Sequence, residues 1–130
     1  MKFTNDFLYE LLKLCFKKDD VIQICIQHLK YQYLPTEEIK KVFKAIVSYY
    51  NANAKRPSFG IISQQFQKSA ECTEIISNIK KAELVDKEDM LKQLETYIKQ
   101  AMFIDQYDML GDLHNSNDKV KAYENGLEAI

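Results

Sequence analysis

Three groups of side chains in this 130-residue sequence have the types and spacing from which chemistry is usually built. Cys25-x-x-His28 offers two metal donors, a thiolate and an imidazole, about one helical turn apart, as in half of a zinc site. A structural zinc takes four donors at matched spacing, and only Cys15, Cys72 and His114 stand elsewhere in reach of that role. Cys25 therefore reads as core packing and His28 as a helix flank. The second group is carboxylate pairs, at Asp19/Asp20, Glu37/Glu38 and Asp86/Glu88/Asp89. Each falls at or just before an expected helix start, where exposed amides and the positive end of the macrodipole favour negative charge. Capping explains them without acid–base catalysis. The third is glycine: Gly60, Gly111 and Gly126 are followed by Ile61, Asp112 and Leu127, so neither a G-x-x-x-x-G-K-[ST] phosphate loop nor a dinucleotide fingerprint is present. No catalytic residue, cofactor site or metal site is assigned, and the chain is expected to be non-enzymatic.

The elements that carry these residues are helices. Three glycines and two prolines leave few turn-formers for tight hairpins, and 46% hydrophobic with 28% charged residues is ordinary globular usage. A first helix spans Asn5 to Lys17, with Thr4 or Asn5 as its cap and Phe7, Leu8, Leu11, Leu12, Leu14 and Cys15 at helical spacing. A second starts at Asp19 or Asp20 and is expected to continue through Tyr33 to Leu34-Pro35, where proline disfavours helix in the residue before it. Thr36 caps a third, in which Ile39, Val42, Phe43, Ile46, Val47 and Tyr50 form a core stripe. Asn51 to Pro57 reads as a loop, and Ser58 caps a short helix carrying Phe59, Ile62 and Phe66 inward. Ile75, Ile76 and Ile79 mark another short helix.

Asp86 opens a long helix expected to reach about Gly111, followed by a turn at His114-Asn115-Ser116-Asn117. Apolar residues between Glu95 and Leu113 fall at nearly every angle about its axis, which implies burial on more than one side. Val120, Tyr123, Leu127 and Ile130 then repeat at alternating three- and four-residue steps, the seam of a paired helix. The reading is an all-α chain: a small helical head over about 1–85 and a long antiparallel helical hairpin over about 86–130. Tyr97, Met102, Phe103, Tyr107, Leu110, Val120, Tyr123 and Leu127 are its candidate interface residues.

Partners and compartment follow from charge and cysteines. Eighteen basic against nineteen acidic residues give a formal charge of −1, so any DNA contact is local and weak. A helix-turn-helix from the two short helices would bring Glu71 and Glu74 towards phosphates, which is electrostatically unfavourable. Three cysteines without C-x-x-C spacing, no signal-peptide pattern and no membrane-length apolar run point to the cytoplasm.

Two stretches carry a resemblance. Tyr33-Leu34-Pro35 through Val42-Phe43-Lys44-Ala45-Ile46 and Tyr49-Tyr50, then Arg56-Pro57-Ser58-Phe59, resemble the N-terminal domain of DnaB-type hexameric replicative helicases. Glu95-Thr96-Tyr97-Ile98-Lys99-Gln100-Ala101-Met102-Phe103 is similar to the opening of that family's long helix, closest to the T-even phage branch. The resemblance implies a helical head and hairpin, self-association as a dimer or as part of a hexamer collar, and a docking surface for primase or helicase loader. That family's ATPase motor is not among these residues, and both a piece of a longer helicase and a stand-alone relative stay open. The alternatives are a helicase-binding domain of a primase or a helicase loader and, in a different class, a small helical DNA-binding protein.

Overall fold

The computed structural model describes the backbone of residues 3–115 and the side chains of residues 3–103. Among these the chain is all helical: α1 (Asn5–Lys17), α2 (Asp19–His28), a 3₁₀ turn (Tyr31–Tyr33), α3 (Glu37–Asn53), α4 (Phe59–Gln65), α5 (Ala70–Lys81) and α6 (Lys87–Asn115). Two compact units divide it, the first closing at Gln93 and the second opening at Leu94. No described helix is long and apolar enough to cross a membrane.

In the first unit α1 packs against both α2 and α5, and α3 packs against α5 and α4. That double contact explains the composition of α1. Phe7, Leu8, Leu11, Leu12, Leu14, Cys15 and Phe16 are all buried, a band too broad for a helix with one covered face. From α2 and α3, Val21, Ile22, Cys25, Ile39, Val42, Phe43 and Ile46 complete the core, each at most 1% exposed. Ile62 of α4 and Ile79 of α5 close it from the other helices.

Local chemistry sets most boundaries. The Thr36 hydroxyl accepts from the Ile39 amide at 3.2 Å, and Ser58 and Ser69 do the same for Ile61 and Cys72. Asp86 caps α6 by accepting from the Asp89 amide at 3.0 Å. At the other end of α5 the Lys13 ammonium donates to the Lys80 and Ala82 carbonyls at 2.8 and 2.6 Å, satisfying acceptors that a helix end leaves open.

Three boundaries differ from the sequence reading. Helix α2 ends at His28, not near Leu34, because Leu29 turns extended (φ −92°, ψ 99°). The break allows both Leu29 and Leu34 to be buried, and it sets Tyr31 edge-on to Phe43 at 5.5 Å. Helix α3 continues through Asn51 to Asn53, and α6 runs through His114 and Asn115. Tyr50 is not a core residue: it is half-buried, with its hydroxyl accepting from the Gln23 amide at 2.8 Å.

Helix α3 stops at Ala54, the one non-glycine residue with positive φ among those described (φ 55°, ψ 31°). A Cβ is strained in this conformation, and glycine is the usual occupant of such a helix end. Ala54 is exposed, so no packing is lost with its methyl group. Ala54→Gly is expected to stabilise the fold by about 0.5–1 kcal/mol, read as a higher midpoint in thermal denaturation; an unchanged or lower midpoint contradicts it.

The acidic pair Asp19/Asp20 does more than neutralise a dipole. Asp19 pairs with Arg56 at 2.8 Å, and Asp20 with Lys87 at 2.6 Å, tying the start of α2 to the α3–α4 loop and to the start of α6. The Lys87 hydrogen bond holds the Asp20 carboxyl below its ordinary value of 3.8. The pair therefore contributes fully above that value, and its contribution fades as pH falls through the lowered one. Asp20→Asn is expected to remove a small stability difference at neutral pH and to flatten its acid dependence, measured by urea melts between neutral and acidic pH. Equal acid sensitivity of the two proteins would rule the pair out as a contributor.

Candidate functional site

Helix α6 has 29 residues and is therefore about 43 Å long. Among its described side chains, Met90 and Leu94, four residues apart, are 2% and 1% exposed. Past Leu94, within the second unit, Tyr97, Ile98 and Ala101 are half-buried, while Met102 is 44% and Phe103 62% exposed. Phe103 lies nine residues from Leu94, half a turn round the axis. Thr96, Lys99, Gln100 and Phe103 line an open depression of about 450 Å³ on that side. A Glu95–Lys99 pair at 2.9 Å borders it, and the Lys99 hydrogen bond lowers the Glu95 carboxyl. An exposed aromatic ring and thioether beside a charged pair can bind apolar groups of another molecule.

The sequence-derived interface residues are distributed unevenly over this helix. Phe103 lies in the depression. Met102, roughly 100° away, and Tyr97, roughly 120° away, look out on neighbouring sectors. Burial raises the Tyr97 phenol. Tyr107 and Leu110 belong to the backbone of α6, and their side chains lie outside the described residues. Val120, Tyr123 and Leu127 lie outside the described residues.

The first unit holds the other sequence candidates. Cys25 is fully buried and His28 exposed, so the two do not converge on a common ligand. Cys25 instead meets Cys15, sulfur to sulfur at 3.6 Å, both as free thiols. The Cys25 contact and burial raise the Cys15 thiol well above its ordinary value, which leaves little reactive thiolate. Among the described residues no three His, Cys, Asp or Glu side chains are grouped to hold a metal ion.

A cleft that sequence reading missed lies between α1 and the end of α5. Asp6, Tyr9, Glu10, Asn78, Lys81, Ala82 and Glu83 line about 530 Å³ of it. Partial burial, then Glu83 and Asp6, raises the Glu10 carboxyl. Its residues are some seventy positions apart in the chain, and spacing alone carries no signal of their meeting.

Comparison with known proteins finds no matching family model, curated protein or solved structure.

Proposed function

We propose that this chain is the N-terminal oligomerisation and partner-docking domain of a DnaB-type replicative helicase, a scaffold and not a motor. The observation that carries the reading is the exposure of Phe103 and Met102 on a long helix. Side chains this exposed are not part of a core, and apolar surface of this kind marks contacts with other molecules. Further support comes from the residues of the resemblance: Thr36 caps the helix of Phe43 and Ile46, and Pro57-Ser58 opens the next.

In this reading α6 is the first arm of an antiparallel hairpin. Val120, Tyr123 and Leu127 belong to the returning arm, and hairpins from different chains meet to build a dimer or a hexamer collar. Primase and helicase loader are the implied docking partners, in the cytoplasm of the cell that replicates the DNA. Sedimentation equilibrium of the chain over a wide concentration range tests it. A mass that rises with concentration to a defined oligomer is expected; a monomer up to hundreds of micromolar overturns self-association. Binding to a helicase with no self-association would favour the primase or loader alternative.

A further inference from the structure

Helices α1 and α5 bring their last-turn lysines to one aromatic ring. The Lys17 and Lys80 ammonium groups each lie 5.7 Å from the centroid of Phe59, so they are no further apart than twice that distance. Phe16 stacks on the same ring at 4.1 Å and 25°, backing it from the core. Phe59 is half-buried, and both lysines are exposed.

A place in the last turn of a helix favours each cation but does not explain their meeting on one ring. Neither forms an ion pair among the described residues, where the carboxylates of Glu37, Asp19, Asp20, Glu88 and Glu95 take Lys40, Arg56, Lys87 and Lys99. The terminal carbonyls of α5 are already bonded to Lys13. Arg56, which donates to the Phe16 carbonyl at 3.2 Å, directs its charge to Asp19. Lys81 faces the separate cleft with Asp6, Glu10 and Glu83. Two like charges are thus held near one ring, where a bound anion would relieve their repulsion.

We propose that Lys17, Lys80 and Phe59 form a contact site for single-stranded nucleic acid, independent of the self-association reading. The lysines take phosphodiester oxygens, and as they swing onto the backbone the ring face opens to an unpaired base. Aromatic rings flanked by cations bind single strands with little sequence preference. The strand must be single, since a paired base keeps its faces inside the stack. With a formal charge of −1 the interaction is local and salt-sensitive.

Fluorescence anisotropy with labelled oligothymidine, at low and at physiological salt, tests the site. Lys17→Gln with Lys80→Gln is expected to weaken binding at least about tenfold and to reduce the salt slope by about 1.4, two phosphate contacts at roughly 0.7 each. Phe59→Leu is expected to weaken it about five- to a hundredfold at constant slope. Lys41→Gln with Lys44→Gln, on exposed positions of α3, is the charge-matched control and should bind as wild type does. Circular dichroism verifies folding; should Phe59→Leu not fold, the lysine pair decides. The proposal is overturned if wild type does not bind at low salt, or if the lysine pair can be replaced without effect. It is equally overturned if the control weakens binding as much, if a folded Phe59→Leu binds normally, or if inorganic phosphate at matched ionic strength competes as well as unlabelled oligothymidine.

Discussion

Replacing Phe43 by alanine is expected to destabilise the first unit by about 3 to 5 kcal/mol. Phe43 is 1% exposed and is the largest fully buried side chain among the described residues. It stands on the helix that packs against both α4 and α5, so neighbours from several elements would have to collapse to fill the void. Small domains are stable by only about 5 to 15 kcal/mol, and the loss should appear as a fall in melting temperature of tens of degrees. Tyr31→Ala, which removes the edge-on partner but leaves Phe43 in place, should cost much less. Thermal denaturation followed at the helical circular dichroism band compares the three proteins. A drop of only a few degrees for Phe43→Ala would mean that α3 is not the centre of the core.

Phe103→Asp should act on assembly while leaving the fold intact. If chains meet over the depression that Phe103 lines, the substitution forfeits roughly 1.5 to 3 kcal/mol of burial, before the added cost of desolvating a carboxylate. That is at least about a ten- to hundredfold loss of affinity. Because Phe103 is 62% exposed, the helical signal should be unchanged. Leu127→Asp tests the proposed returning arm in the same way. Sedimentation of wild type and both variants at several concentrations gives the comparison. Retained assembly in Phe103→Asp excludes this surface as the contact, and loss of helix in Leu127→Asp would make that seam part of the chain's own core.

What the sequence made legible is what local physics determines. The apolar spacing of α1 and α3 and the hydroxyls of Thr36 and Ser58 are short-range signals, and the helices start where those signals stand. The end of α2 was not legible, because Leu29 leaves the helix to reach a core built by residues far along the chain. Nor was Tyr50, whose helical phase fits the stripe but whose hydroxyl finds a partner in Gln23. For the candidate surface, the apolar residues of α6 led to an expectation of spare surface, and of those with described side chains Met102 and Phe103 are exposed. That Phe103 is exposed while Tyr97 is half-buried depends on packing that spacing does not encode. The convergence of Lys17 and Lys80 on Phe59 was invisible for the same reason: each lysine alone looks like the ordinary cation of a helix end.

The three cysteines, all free and buried, give the molecule an internal gauge. Cys15 and Cys25 are 0% and Cys72 1% exposed, and they come from three helices of the first unit. A thiol reagent reaches any of them only when the chain around it opens. The pace at which each sulfur is capped under native conditions is then a clock for the opening of its own helix. Matched rates at Cys15, Cys25 and Cys72 would describe a head that opens as one body, and an early capping at Cys72 would describe α5 lifting away first.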